Sequence, residues 1–174
     1  MKETLVDIKT RRSCRKYLPQ QIKDAELDTV LEAATWAPTG HGTQSPRMVV
    51  VQDAALVKEL SALNAQVMGA KHDPFYGAPT AVIVFADATC HTGRADAANV
   101  MSTLLLAAHA VGLGSCWINR AYEMFDLPEG FELQKKWGLA DNYEGFAIAI
   151  LGYRAEGGTV ATPKPRKADY IIRL

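Results

Sequence analysis

Three uninterrupted apolar runs restrict what this 174-residue chain can fold into more than any other feature. They span residues 48–51, 80–86 and 146–151, and none of them alternates between polar and apolar positions. A strand of that kind has both faces buried, whereas a strand with one solvated face alternates. A shorter run at 116–118 is predicted to be a fourth strand. The sequence therefore predicts a sheet that is covered on both faces.

Helical spacing separates the predicted strands. Asp24 and Asp53 each stand where an N-cap precedes an amphipathic stretch, and Pro38 ends the first of these two helices. Thr4 with Asp7 resembles a capping box, so a short helix is predicted before the residue at position 11. Further helices are predicted over 94–111 and within 122–139. Because no repeat or shift in composition divides the chain, residues 1–174 are predicted to form one domain.

Composition and charge exclude several classes of partner. Nineteen basic and nineteen acidic residues give no formal net charge, so neither nucleic acid nor a membrane surface is expected to bind. Three cysteines without a CxxC pair argue for a reducing compartment and against a disulfide framework. The N-terminus has no apolar signal core, and polar residues and glycines interrupt the apolar run at 100–118. A soluble cytoplasmic protein is expected.

Common catalytic sites are absent from the sequence. There is no GxxxxGK[ST] phosphate loop, no complete GxGxxG, no HExxH and no GxSxG. The four histidines lack metal-ligand spacing, so no metal is expected. Cys14 lies among cations that favour a nucleophilic thiolate, but no histidine nearby in sequence could act as its base. This combination suits a protein that delegates its chemistry to an organic cofactor.

The segment Arg11-Arg12-Ser13-Cys14-Arg15 places three guanidinium groups and a hydroxyl close together. Arginine grips phosphate through paired hydrogen bonds and keeps its charge, so one interpretation is a site for the terminal phosphate of a cofactor. The other interpretation is a solvated basic turn, where cations suit the negative end of the preceding helix dipole. The segment alone leaves both interpretations open.

Four motifs in order resemble those of the FMN-dependent nitroreductase family. They lie at residues 11–19, 32–44, 106–117 and 151–166, and they cover nearly the whole chain. The first is the arginine segment followed by Tyr17 and Pro19. The resemblance implies an α+β fold, a three-layer α/β/α sandwich around a central mixed sheet. It also implies an intertwined homodimer with FMN at the subunit interface.

The resemblance assigns residues to the cofactor position by position. Arg11, Ser13 and Arg15 match residues that hold the FMN phosphate, the ribityl chain and the pyrimidine edge, and Arg12 matches a position that is often basic. The other matches are a loop that reaches the flavin from the partner subunit (Pro38, Thr39, Gly40, Gln44), the backbone along the isoalloxazine ring (Ser115, Cys116, Trp117) and two cations of the tail (Lys164, Arg166).

The activity implied by the resemblance is a ping-pong reduction. NAD(P)H would deliver a hydride to N5 of non-covalently bound FMN, and a nitroaromatic, quinone or related small acceptor would then take the electrons in the same pocket. No side chain is expected to act as a catalytic acid or base. Two alternatives stay open, a flavin reductase and a non-catalytic FMN-binding or redox-sensing flavoprotein.

The substrate side is less defined by the sequence. Gly42 stands where many family members have asparagine, and Ser45-Pro46-Arg47 replaces their Pro-Trp. His41, Phe75 and Tyr76 are candidate substrate contacts. His41 could equally be a solvated loop residue, and the two aromatic residues could anchor their loop instead of covering a substrate.

Overall fold

The computed structural model describes residues 2–159 and 162–174. Its strands are β1 (Arg47–Val51), β2 (Thr80–Asp87), β3 (Gly114–Ile118) and β4 (Tyr143–Gly152). They form one four-stranded sheet in the order β1-β2-β4-β3. The predicted strands are confirmed, since each of the four apolar runs lies inside one of them.

The pairing directions differ from the expected mixed sheet. β1 with β2, β2 with β4 and β3 with β4 are all antiparallel. Over residues 2–159 and 162–174, the parallel pairing is one isolated bridge between Ser13, outside the strands, and Ser115 of β3. The mixed sheet is therefore wrong for these four strands. An apolar run predicts a strand but carries no information on the direction of its neighbour.

Helices cover both faces of the sheet. They are α1 (Glu3–Thr10), α2 (Asp24–Thr35), α3 (Ala54–Met68), α4 (Gly93–Ala110), α5 (Ala121–Phe125) and α6 (Pro128–Lys136). α3, α5 and α6 pack on one face, and α2 and α4 pack on the other. α1 lies against α4. The predicted α+β fold with three layers is thus confirmed.

β2 shows why its sequence does not alternate in polarity. Ile83 and Phe85 point into the core beneath α3 and α5, and Val82 and Val84 point into the core beneath α2 and α4. Successive side chains of a strand point to opposite faces. All four are completely buried because both faces are covered.

The observed starts of the helices agree only partly with those predicted from the sequence. The Asp53 carboxylate accepts the N–H of Leu56 at 2.8 Å, which confirms it as the cap of α3. The capping box at Thr4 is wrong, because α1 begins after Lys2 without a side-chain cap. Asp24 is the first residue of α2 and not its cap.

Candidate functional site

The arginine segment, residues 11–15, lies beside β3. The N–H of Cys14 donates to the carbonyl of Ser115 at 2.8 Å, next to the parallel bridge between Ser13 and Ser115. On the other side, the N–H of Arg15 donates to the carbonyl of Gly158 at 2.7 Å. Motifs that are far apart in sequence are thereby joined directly.

The side chains of this segment differ in depth. Cys14 is completely buried, which removes it as an accessible nucleophile. Arg15 is exposed, and Arg11 and Ser13 are half-buried. Alternate residues of an extended chain point to opposite sides, so Cys14 faces the core while its neighbours stay accessible. We call Arg11, Ser13 and Arg15 the arginine row.

Cys116 lies close to the arginine row. Burial raises the pKa of the Cys116 thiol, against the lowering effect of the Ser13 hydroxyl and of the Arg15 charge. The Cys116 side chain is buried, and Trp117 packs its ring edge-on against Phe146. The resemblance assigns the main chain of these two residues to the flavin ring, and this assignment stays a prediction.

Arg12 closes the end of α1. Its Nη1 donates to the carbonyls of Lys9 and Arg11 at 2.8 and 2.7 Å. These hydrogen bonds agree with the interpretation of the segment as a basic turn at the end of a helix. That interpretation therefore applies to Arg12. In the described part of the chain, Arg12 Nε is buried without a hydrogen-bond partner, so the group keeps an unused donor.

The two tail cations stay a prediction. Lys164 and Arg166 are both exposed, and Arg166 Nη2 donates to the carbonyl of Lys164 at 2.7 Å. This hydrogen bond lies within the tail itself.

His109, which the sequence did not single out, connects α4 to this region. Its Nδ1 accepts from Arg154 Nη2 at 2.9 Å, and its Nε2 lies 2.9 Å from the Thr10 hydroxyl oxygen. That hydroxyl donates to the carbonyl of Val6 at 2.8 Å, so it accepts from His109. His109 is therefore neutral with its proton on Nε2, because a proton on Nδ1 would face the Arg154 donor.

Acidification is expected to reveal the neutral state of His109. Burial lowers the pKa of His109, and the Arg154 charge lowers it further, against the opposing effect of Asp7. As the pH falls through the ordinary value of 6.5, the unfolded chain takes up a proton that the folded chain does not. We expect the free energy of unfolding to drop more between about pH 7.5 and 5.5 in the parent than in His109→Gln. Urea denaturation at both pH values measures this, and equal drops would contradict it.

The second candidate segment, loop 38–45, lies at the other end of α4. Asn99 Nδ2 donates to the carbonyl of Pro38 at 3.0 Å. The N–H of Gly40 donates to Asp96 Oδ1 at 2.9 Å. α4 therefore holds the loop through two side chains that lie on one helical face.

This loop has an unusual backbone. His41 and Gln44 have φ angles of 54° and 49°, and Gly42 between them has a φ of 68°. Such angles are disfavoured for residues with a side chain and easy for glycine, which accounts for glycine at position 42. The N–H of Gln44 donates to Thr39 Oγ1 at 3.0 Å. His41 and Gln44 are exposed, and both interpretations of His41 stay open.

The Ser45-Pro46-Arg47 departure also has a structural role. Arg47 Nη1 donates to the carbonyl of Gln44 at 3.2 Å, and its guanidinium lies 5.5 Å from the centre of the Tyr143 ring. Ser45 Oγ donates to Asp96 Oδ2 at 3.2 Å. These contacts hold the loop at the point where the sequence departs from the motif that it resembles.

One chain does not bring the two candidate segments together. Asp96 holds loop 38–45, and His109 contacts Thr10 beside the arginine segment. At 1.5 Å of rise per residue, Asp96 and His109 are about 20 Å apart along α4. The loop and the arginine row of a single chain are therefore separated by most of the length of this helix.

The aromatic substrate candidates pack into the core. Phe75 is 1% exposed, which favours the anchor interpretation over the predicted substrate contact. Tyr76 packs against the same core. The Asp73 carboxylate fixes this turn by accepting the N–H groups of Phe75 and Gly77 at 2.8 and 2.6 Å. A cavity of about 890 Å³ lies between the turn and α3, and Phe75 is the predicted site residue that lines it.

The part of the chain that the structure describes has neither a metal-binding cluster nor a membrane-spanning helix. No group of three or more histidine, cysteine, aspartate or glutamate side chains could hold a metal ion there. None of the helices in that part of the chain combines the length and hydropathy needed to cross a bilayer.

Comparison with known proteins matches the chain over most of its length. The model of the nitroreductase family matches residues 8–153. A proposed NADH dehydrogenase/NAD(P)H nitroreductase of Archaeoglobus fulgidus is 30% identical over 159 residues, which cover 88% of this chain and 86% of that protein. A crystal structure of a Bacteroides fragilis nitroreductase with bound FMN has a TM-score of 0.90 at 29% identity and covers 100% of both chains. An FMN-bound nitroreductase of Desulfitobacterium hafniense has a TM-score of 0.87 at 27% identity, over 100% of this chain and 99% of that chain.

Proposed function

Because this chain belongs to the nitroreductase family, whose model matches residues 8–153, we propose that it is an FMN-dependent oxidoreductase. It would use NAD(P)H to reduce a nitroaromatic, a quinone or a related small acceptor. The observation that carries the proposal is the position of the arginine row against β3, through the pairing of Ser13 with Ser115. Two similar structures with bound FMN support the same cofactor.

The chemistry of the donor set fits FMN. Arg11 offers a fork for the phosphate dianion, the Ser13 hydroxyl offers a donor to the ribityl chain, and Arg15 offers donors to the pyrimidine edge. The unused Nε donor of Arg12 lies in the same segment. FMN, when bound, would supply the redox chemistry by accepting hydride from NAD(P)H and passing electrons to the acceptor.

The residues of the chain would bind and orient this cofactor. Arg11 would hold the phosphate end by charge, and the main chain of Ser115, Cys116 and Trp117 would face the ring. β3 is an edge strand that pairs with β4 and with the arginine segment, so this backbone is rigidly placed. Positioning of two reactants in turn over one ring is the main contribution of the protein.

We also propose a homodimer in which loop 38–45 of one copy meets the arginine row of the other. The separation of about 20 Å between the two segments supports this arrangement, because a two-fold axis can bring one copy's loop to its partner's cations. Exposed apolar side chains support it too, since monomers rarely leave such surface in water. They are Trp36 beside the loop, Leu5, Val6 and Ile8 of α1, and Tyr170, Ile171, Ile172 and Leu174 of the tail.

Cofactor content tests the proposed function. Purified protein is expected to show flavin absorption bands, and heat should release a flavin that chromatography identifies as FMN. The protein should also oxidise NAD(P)H when a quinone is present. A colourless protein that FMN cannot reconstitute would contradict the proposal. A yellow protein that never oxidises NAD(P)H would favour the non-catalytic flavoprotein.

We also propose that this protein is cytoplasmic. Its cysteines Cys14, Cys90 and Cys116 are free, which suits a reducing compartment.

A further inference from the structure

Asp96 is a buried carboxylate in the first turn of α4, with 2% of its surface exposed. Its oxygens accept four hydrogen bonds. Oδ1 accepts the N–H of Gly40 at 2.9 Å. Oδ2 accepts the hydroxyls of Thr92 at 2.9 Å, Ser45 at 3.2 Å and Thr43 at 3.5 Å. Three of these four donors belong to loop 38–45. The Asp96 side chain therefore binds the loop to α4 at three points.

The hydrogen bonds keep Asp96 ionised. Burial raises the pKa of Asp96, but the N–H of Gly40 and the hydroxyls of Thr92 and Ser45 lower it by more, and the pKa is below its ordinary value. The positive end of the α4 dipole also favours a negative charge in the first turn. A buried charge is costly unless its lone pairs are satisfied. The Asp96 carboxylate therefore stabilises the loop conformation in which these donors reach its oxygens.

The close packing of the loop adds a second restraint. A Cβ atom on Gly40 would collide with the side chain of Thr92. Asn99, one helical turn beyond Asp96, holds the carbonyl of Pro38 at 3.0 Å. The loop is thus restrained at Pro38, at Gly40 and at Ser45, on both sides of its left-handed residues.

We propose that Asp96 is a positioning residue that fixes loop 38–45 in the conformation that meets the cofactor of the second copy. The inference rests on the proposed function, because that function makes the loop a part of the FMN site. The left-handed angles of His41 and Gln44 are unfavourable for a free loop and persist only where the surroundings impose them. Without the carboxylate, a smaller fraction of molecules would hold the competent loop, and the apparent affinity for FMN would fall by that fraction.

Two measurements on a graded series of variants test this role. Hydrogen exchange of the apoprotein reports on the loop amides, and quenching of flavin fluorescence reports on FMN affinity. For Asp96→Ala we expect exchange at residues 40–45 to be faster and FMN binding to be weaker, each by about tenfold or more. Asp96→Asn should have a smaller effect because it retains an acceptor for the Gly40 N–H. Ser45→Ala removes one neutral donor and should change both quantities by about threefold.

The matched control is Asp28→Asn, the same change at an exposed position of α2. It should alter neither measurement. If Asp96 only stabilised the fold as a whole, Asp96→Ala would speed hydrogen exchange in β2 and β4 as well as in the loop. That result would overturn the proposal. Unchanged loop exchange in Asp96→Ala would also overturn it.

The outcomes separate this inference from the proposed function. Faster loop exchange with unchanged FMN affinity, in a protein that binds FMN, overturns the inference and leaves the proposed function standing. A parent protein that binds no FMN overturns the proposed function and the cofactor half of the inference, and the exchange data still decide whether Asp96 holds the loop.

Discussion

Replacing Arg11 with alanine is expected to weaken FMN binding by about 1.5–3 kcal/mol, or about 10- to 150-fold. The physical reason is the loss of a charge-assisted contact to a phosphate dianion beside β3. Arg11 is half-buried, so its interaction with an anion is less screened than that of a fully exposed cation. Titration of the apoprotein with FMN, followed by flavin fluorescence, measures the effect. Arg166→Ala should have an effect of similar size if the tail completes the phosphate site.

Riboflavin provides the sharpest control for this assignment, because it lacks only the phosphate. The parent should bind FMN more tightly than riboflavin, and Arg11→Ala should lose most of that difference while its affinity for riboflavin changes little. Lys135→Ala, which removes one exposed positive charge from α6, should leave both affinities unchanged. If Arg11→Ala weakened FMN and riboflavin equally, Arg11 would not be bound to the phosphate.

The sequence predicted the layers of this fold because the signals for them are local. The apolar runs at 48–51, 80–86 and 146–151 each lie within a strand, and Asp53 caps its helix through a residue three positions on. Direction of pairing is not a local property. The antiparallel ladders join segments far apart in the chain, and the periodicity of the sequence is the same for either direction.

The sequence predicted the parts of the candidate site that consist of short motifs. It missed the residues whose role depends on contacts with distant parts of the chain. The arginine row was found from five consecutive residues. Asp96 lies within the helix predicted over 94–111, but nothing local marks it as buried, since its partners Gly40 and Ser45 come from a distant loop. His109 was missed for the same reason, because Arg154 and Thr10 reach it from opposite ends of the chain. The role of Phe75 stayed open in the sequence because an aromatic residue in a loop can face the core or the solvent with the same local pattern.

Two variants with weakened FMN sites are expected to restore each other's activity when they share a dimer, at an FMN concentration that fills the parent's sites but not those of either variant. Arg11→Ala damages the arginine row of its own copy. Gly40→Val damages the loop, because its branched side chain would collide with Thr92. Each homodimer should have two defective sites. In a mixed dimer, the intact row of the Gly40→Val copy meets the intact loop of the Arg11→Ala copy, so one of the two sites is free of both changes.

The yield of restored activity follows from the symmetry. Random assortment of equal amounts gives half mixed dimers, each with one intact site, so about a quarter of the parent's sites should return. Co-refolding of the two variants, followed by NAD(P)H oxidation with a quinone, measures it. The control mixes Arg11→Ala with the double variant Arg11→Ala/Gly40→Val, in which every dimer keeps a damaged row at both sites and no activity should return. Absence of recovery in the first mixture, with mixed dimers verified by mass, would mean that row and loop act within one chain, and the intersubunit site would be wrong.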